Sequence, residues 1–474
     1  MERLSSLYIG GEWVETALPE IEVVDPVTES VIATVPQAGA AEVELAVAAA
    51  AAAAEEWRAV PMAARAALVA AVGRALDARR AELERVIQSE LGSTTAATRG
   101  VQVGAAIDKF LAMPSLAAAL EPETLLGGSI VVQEPVGVVA AITPWNYPLL
   151  QTADKVAAAL TAGCTVVLKP SEVTPLNAFV LAEAVHEVGL PAGVFNLVTG
   201  YGVEAGEALV AHPLVDMVSF TGSTRAGRRI SELAAATVKA TAMELGGKSP
   251  NLLLDDLDEL QMAAAVTRGV ASCFPNAGQT CSALTRMIVP RHRLGEVERT
   301  VEETVSTWTV GDPRDPAVRI GPLVSSVQRD RVRGYIETGS REGARLLVGG
   351  GGAPAGLSRG YYVAPTVFSD VAPSMTIAQE EIFGPVLVII PVDSEEEAVA
   401  VANGTDYGLA AGVWSSDTAT ATRVARRIRS GIVHVNGGDE PEGAPFGGFK
   451  QSGHGREAGE FGLREFLTTK TLCL

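Results

Sequence analysis

The sequence predicts an α/β protein of two lobes, each built on a mainly parallel sheet, with a small additional β segment. Three observations carry this. Between Val136 and Leu253, apolar β-branched runs (VGVVAAI, TVVLKP, VFNLV, DMVSF, KATAMEL) alternate with helix-forming stretches, which is the pattern of βαβ units. A second cycle opens at Asn251–Leu254 and runs through Arg286–Val289, Val386–Ile390, Gly412–Trp414 and Ile432–Asn436. Two β-prone pieces fit neither lobe: residues 117–135 around the Gly127-Gly128 turn, and the terminal FLTTKTLCL.

In chain order, residues 7–35 alternate apolar and polar positions between the turn signals Gly10-Gly11 and Asp25-Pro26, and predict short strands. Ala40–Trp57 and Pro61–Glu90 are alanine-rich with little β-branching and predict helices, Pro61 suiting a first turn. The Gly-rich stretch 349–360 reads as a loop, because strand-like sequence resumes at Tyr361. The two unplaced β pieces read as edge strands seeking cover, which points to an oligomer.

Composition narrows the function. The 474 residues are 47% apolar and 20% charged, with a formal charge of -19. A duplex-binding surface is a poor fit to that charge, since phosphate binding needs clustered Lys and Arg. The N-terminus carries no secretory pattern and no run approaches a membrane span, so cytoplasm is the simplest expectation. Four cysteines at wide spacings argue against a disulfide framework, and five histidines without close spacing argue against a metal site.

Familiar motifs fail in turn. Gly247-Lys248-Ser249 lacks the first P-loop glycine, position 242 being Ala242, and no GxSxG elbow occurs. Gly200-Tyr201-Gly202 with Gly206 is a weak dinucleotide fingerprint that a tight turn explains equally well. Cys281 stands out because small and polar neighbours (Asn276 to Ser282) leave its thiol free to face a cleft, whereas Cys164 and Cys273 lie in packing surroundings. Glu244 closes a strand before a glycine pair, a position that opens onto the crevice of an α/β sheet unless it is simply a solvated turn. Asn146, between a strand and a helix, can cap the helix or bind an oxyanion.

Seven motifs in order, PWNYPLL (144–150), LKPSE (168–172), SFTGSTRAG (219–227), MELGGKSP (243–250), NAGQTC (276–281), EEIFGPV (380–386) and PFGGFKQSGHGRE (445–457), make the sequence closely resemble the NAD(P)-dependent aldehyde dehydrogenase superfamily. The resemblance implies a Rossmann-like NAD-binding domain over 1–116 and 136–247 and an α/β catalytic domain over 248–445. It also implies an oligomerisation segment over 117–135 and 446–474 that builds a homodimer or homotetramer. It implies that Cys281 attacks the aldehyde, that Asn146 holds the oxyanion, and that Glu244 activates the water that hydrolyses the thioester. Ile142, Thr143, Pro144, Trp145, Phe220, Thr221, Gly222, Ser223, Leu245 and Gly246 would lie along NAD. Lys169 and Glu172 would hold the adenine ribose, Gly202 would lie near the adenine, Ser171 and Gly206 would also bind the cofactor, and Glu381 would bind the nicotinamide ribose with Phe383 packing beside it. At an effective dielectric of about 20, Glu172 roughly 4 Å from a 2'-phosphate would be opposed by about 4 kcal/mol, so NAD is expected over NADP.

By the same resemblance Tyr147, Gln151, Asp154, Thr280, Ser282 and Phe446 would line the channel of the aldehyde substrate. The polar Gln151 and Asp154, with Asp439, Glu440 and Glu442 nearby, would suit a cationic aldehyde, although a chain this acidic carries such residues anyway. No metal, nucleic acid or membrane is implied. A CoA-acylating semialdehyde dehydrogenase is the nearest alternative, disfavoured by Glu244, and a non-catalytic homologue is the other.

Overall fold

The computed structural model describes residues 2–474. Strands β1 (Val138–Ile142), β2 (Thr165–Lys169), β3 (Phe195–Leu197), β4 (Met217–Thr221) and β5 (Ala240–Glu244) pair in parallel in the order β3-β2-β1-β4-β5. Ser6–Ile9 pairs antiparallel with β3, and Gly453–His454 pairs antiparallel with β5, so both flanks are covered. A second sheet repeats the pattern. Strands β6 (Pro250–Leu253), β7 (Arg286–Pro290), β8 (Val386–Val392), β9 (Ala410–Trp414) and β10 (Ile432–Val435) run parallel in the order β8-β7-β6-β9-β10. Thr366–Ser369 extends it beyond β8, and Arg345–Val348 closes that edge antiparallel.

In each sheet the first of these parallel strands is central, the next ones lie on one side of it and the last two on the other, the second sheet reaching its far edge at Arg345–Val348 and Thr366–Ser369 before β8 forms. That reversal opens a crevice at the strand ends. The apolar runs produce this because every residue of β1, β2, β4, β6, β7 and β8 is buried, as expected where helices cover both faces of a parallel sheet. Each buried Val, Leu or Ile contributes about 1.5–3 kcal/mol, so a strand such as VLVIIPV in β8 anchors its lobe strongly. Helix α1 (Pro148–Ala162) starts on proline, is buried on nearly all sides, and stops at Gly163, whose φ of 103° only glycine adopts easily. Helices α2 (Leu176–Val188), α3 (Thr224–Ala235) and α4 (Glu259–Cys273) follow β2, β4 and β6.

Two expectations need correction. The helix predicted over 61–90 is two helices, Met62–Ala78 and Arg80–Leu91, broken at Arg79. Arg79 leaves helical geometry while its guanidinium pairs with Glu82 at 2.9 Å and with Glu183, a distant partner that no local pattern displays. Of the stretch 446–474, only Leu467–Cys473 joins the hairpin Glu123–Leu126 and Ser129–Pro135 in the small sheet. Gly453–His454 belongs to the edge of the first sheet, and helix Gly459–Arg464 packs on α1.

The short connector Leu245–Ser249 joins β5 directly to β6. The carboxyl ends of the first sheet therefore confront the amino ends of the second.

Candidate active site

The nucleophile candidate is presented by a strained turn. After α4 ends at Cys273, Asn276, Ala277 and Gly278 take φ values of 52°, 56° and 71° in succession. Left-handed backbone at non-glycine residues costs about 1–3 kcal/mol each and persists only where surroundings enforce it. Here they do. The Asn276 side-chain amide donates to the Asn146 carbonyl at 2.9 Å, the Gln279 amide donates to the Asn276 carbonyl at 3.0 Å, and Gln279 accepts from the Val324 N–H at 2.9 Å. A side chain at Gly278 would overlap the Gly384 carbonyl, so the turn needs glycine there.

This turn delivers Cys281 half-buried beside the ends of β1, β4 and β5. Asn146 follows β1, and its side-chain amide reaches across the interface to donate to the Gln279 carbonyl at 3.0 Å. Glu244 is the last residue of β5, is 3% exposed, and among the described residues has no hydrogen-bond partner on either carboxylate oxygen. Gly447 leaves it room: a Cβ at that position would lie 2.6 Å from the Glu244 Oε1.

These three residues line one cavity of ≈ 130 Å³ together with Gly222, Glu381 and Phe383. Pro144, Trp145, Thr221, Ser223, Leu245 and Gly246 complete the wall on the first-lobe side. Glu381 accepts from the Gly247 N–H at 2.9 Å, and Phe383 meets Trp145 edge to face at 5.2 Å. Ser223 caps α3, accepting from the Ala226 N–H at 3.3 Å. The start of α3 thus points free backbone N–H groups at the crevice, a setting suited to an anionic ligand.

A second group lies farther along the same strand ends, outside that cavity. Lys169 ends β2 and lies 3.6 Å from Glu172, and a Cβ on Gly206 would approach the Lys169 stem at 3.7 Å. Gly202–Gly206 forms a single wide helical turn after β3, and Ser171 is buried. Ile142 and Thr143 are buried at the end of β1, with the Thr143 N–H donating to the Lys169 carbonyl at 3.1 Å.

Burial and neighbouring carboxylates push both candidate groups upward. Burial, and then the neighbouring Glu457, push the Glu244 carboxyl well above the usual carboxylate range. Burial pushes the Cys281 thiol up, with the carboxylates of Glu244 and Glu381 adding to it. A positive charge entering the cavity would draw both back down.

The residues expected along the substrate channel divide. Thr280 and Ser282 line a separate pocket of ≈ 500 Å³, and the Tyr147 hydroxyl hydrogen-bonds Thr280 Oγ1 at 2.7 Å. Gln151 instead lines the cavity with Cys281 and accepts from Thr221 Oγ1 at 3.3 Å. Asp154 is paired with Lys109 at 2.8 Å. Phe446 is half-buried in a two-residue bridge with Glu457. Of the acids near the mouth, Asp439 pairs with Arg268 at 2.7 Å in an exposed ion pair, and Glu440 lies 3.6 Å from His434.

Sequence reasoning missed Gln328 and Arg331, which line the cavity from helix Ser326–Arg341. Arg331 donates to the Glu381 carbonyl at 2.7 Å and Gln328 to the Phe383 carbonyl at 2.7 Å, so both hold the EIF segment in place. It also missed the buried Lys155–Glu457 ion pair behind Glu244, in which Lys155 donates to Thr221 Oγ1 at 2.7 Å. The only signal was that Glu457 closes the last of the seven motifs.

Against known proteins, the model of the aldehyde dehydrogenase family matches residues 13–472. A 3-succinoylsemialdehyde-pyridine dehydrogenase from a Pseudomonas species is 46% identical over 474 residues, covering 100% of this chain and 99% of its own. The crystal structure of an aldehyde dehydrogenase C variant from Pseudomonas syringae, complexed with NAD+ and octanal, superposes with a TM-score of 0.97 at 48% identity, covering 99% of this chain and 96% of that one. An aldehyde dehydrogenase from Mycobacterium tuberculosis complexed with NAD+ superposes with a TM-score of 0.96 at 43% identity, covering 100% and 98%.

Proposed function

The chain belongs to the aldehyde dehydrogenase family, and from that membership we propose that it oxidises an aldehyde to the carboxylic acid with NAD and water, using Cys281, Asn146 and Glu244. The observation that carries this reading is the meeting of those three side chains at one cavity walled by the strand ends of the first lobe.

The residues present fit a dinucleotide. The free start of α3, the bare Gly222 backbone and the Lys169–Glu172 pair offer N–H groups for phosphates and side chains for ribose hydroxyls. Ile142, Thr143, Pro144, Trp145, Ser171, Gly202, Gly206 and Leu245 complete its path, and Glu381 with Phe383 meets the nicotinamide end. Bound there, NAD supplies the hydride acceptor. Glu172 favours NAD over NADP, because its carboxylate would face a 2'-phosphate.

The chain's own residues account for the other steps. Cys281 loses its proton to Glu244 and adds to the aldehyde carbon, and the resulting oxyanion is held by the Asn146 side-chain amide and the Cys281 N–H. The alkoxide re-forms its carbonyl, expelling hydride and leaving a thioester on Cys281. Glu244, having passed the thiol proton to solvent, then removes a proton from water as the water attacks, and the acid departs from the sulfur, which takes that proton back from Glu244 and restores the thiol. Cavity-side Gln151 and pocket-side Tyr147, Thr280 and Ser282 flank the aldehyde.

The small sheet leaves Leu125, Leu126 and Leu472 exposed, as is Leu474 just past it, which supports assembly with further copies as a homodimer or homotetramer. Among the described residues no helix is long and apolar enough to cross a membrane. An aldehyde panel followed by NADH absorbance, with and without CoA and repeated with Cys281→Ala, tests the reading. Turnover abolished by the substitution supports it, unchanged turnover refutes it, and acyl-CoA formation would replace water by CoA as the acceptor.

A further inference from the structure

Asn146, the residue that would hold the oxyanion, is itself held by a side chain to which the proposed reaction gives no task. Gln102 is fully buried, and its amide donates to the Asn146 carbonyl at 2.9 Å. A carbonyl only accepts, so this bond fixes which end of the Gln102 amide faces Asn146. The other end, Oε1, has no hydrogen-bond partner among the described residues. An unpaired buried polar atom costs about 1–3 kcal/mol, so this amide gives the fold little that an apolar side chain of similar size would not.

The local backbone directs the amide. Residues Thr98–Ala105 form a stretch of wide, π-type helix packed against helix Arg80–Leu91 and α1. Helix of this kind is rare and recurs at functional sites. Gly104 permits it here, because a Cβ at that position would lie 2.8 Å from the Arg99 carbonyl. On the widened turn Val101 lines the pocket of Thr280 and Ser282, while the next residue, Gln102, reaches Asn146.

This bond completes a frame around the oxyanion donor. The Asn146 carbonyl also accepts from the Asn276 amide at 2.9 Å, and that amide donates in turn to the Gln279 carbonyl at 3.3 Å. The Asn146 side-chain amide donates to the same Gln279 carbonyl at 3.0 Å. Asn146 is thereby tied to the turn of Cys281 on one side and, through Gln102, to helices of the first lobe on the other. A carboxamide nitrogen carries two hydrogens. One lies on Gln279, the other is left for the oxyanion, and the Asn146 backbone sets its direction.

We propose that Gln102 is a positioning residue for the oxyanion: by holding the Asn146 peptide it fixes where the free Asn146 side-chain N–H points. The inference rests on the proposed oxidation at Cys281 and adds to it a residue that touches neither aldehyde nor NAD.

The test uses the full-length protein with NAD and a saturating aldehyde. Gln102→Leu removes the donor. A misplacement of about 1 Å can cost about a hundredfold, so kcat is expected to fall about ten- to hundredfold while the KM for NAD stays within about twofold of the parent. The deciding comparison is made in the Asn146→Ala background. There the Asn146 amide is gone, and adding Gln102→Leu is expected to lower kcat by no more than about twofold. Alkylation of Cys281 by iodoacetamide is expected to keep the parent rate, since the turn of Cys281 retains its own bonds. A kcat for Gln102→Leu within about twofold of the parent overturns the inference. So does a full further loss in the Asn146→Ala background, or alkylation slowed as far as kcat, either of which makes Gln102 a general support of the fold. If Gln102→Leu does not fold, Gln102→Met decides by the same readouts. NADH formation that Cys281→Ala abolishes and Gln102→Leu leaves intact removes only this inference, while no NADH from any aldehyde overturns both.

Discussion

Replacing Glu244 by glutamine isolates the base from the nucleophile. The substitution is close to isosteric at a site where the carboxylate is 3% exposed and neither oxygen has a partner among the described residues, so it breaks no hydrogen bond there. A positioned general base contributes about 10²–10⁴-fold, or about 3–5 kcal/mol of barrier. Steady-state NADH formation should therefore fall by at least about a hundredfold. If the main task of Glu244 is hydrolysis of the thioester, a rapid burst near one NADH per site should survive, because hydride departs before water attacks. Stopped-flow absorbance reads both quantities in one trace. The sign of the pH effect follows from burial. The Glu244 carboxyl is raised, so its base form is lost as pH falls through that raised value, and the acid limb of kcat should lie above the ordinary carboxylate range. The glutamine variant should lack that limb. For the same reason the fold resists ionising Glu244, so the variant should gain thermal stability relative to the parent as pH rises. A steady-state rate within about threefold of the parent would refute the assignment.

Asn146→Ala should lower kcat by about 10²–10³-fold, with the KM for NAD little changed, since it removes one oxyanion donor; an equal loss in NAD affinity by fluorescence titration would place Asn146 on the cofactor instead. Catalytic efficiency with NADP should be at least about tenfold below that with NAD, and Glu172→Gln should narrow the gap by removing the opposing charge; a gap unmoved by the substitution would clear Glu172 of the role. Gly278→Ala should destabilise the protein by about 2–4 kcal/mol in thermal unfolding and abolish NADH formation, because its side chain meets the Gly384 carbonyl at a φ of 71°.

How much could be read beforehand differs between fold and site for physical reasons. The strands were legible because parallel strands buried on both faces need unbroken β-branched runs, as TVVLK in β2 and VLVIIPV in β8 show. The meeting of Cys281, Glu244 and Asn146 at one cavity was anticipated from motifs, each of which marks a strand end or the turn before a strand. What stayed hidden was pairing at long range. Lys109 neutralises Asp154, and Arg268 neutralises Asp439, across separations of 45 and 171 residues, so the chain alone showed acids without their partners. Gln328 and Arg331 sit in a helix that carries no motif of its own; only folding brings them over the EIF segment. Arg79 interrupts its helix through Glu183 on α2, again a distant contact.

The two sheets share one strand order yet face the centre with opposite polarity, tied by the connector Leu245–Ser249. On the proposed reading the work is thereby partitioned: one framework would grip the oxidant, and the other aim the sulfur and shape the hollow beside it. Loops leaving one framework can be exchanged without retuning the other, so selectivity for the organic partner can drift while the nucleotide grip stays put. Engineering should respect that seam, confining changes of substrate to the turns preceding β7 and β9 and leaving the hinge of five residues untouched.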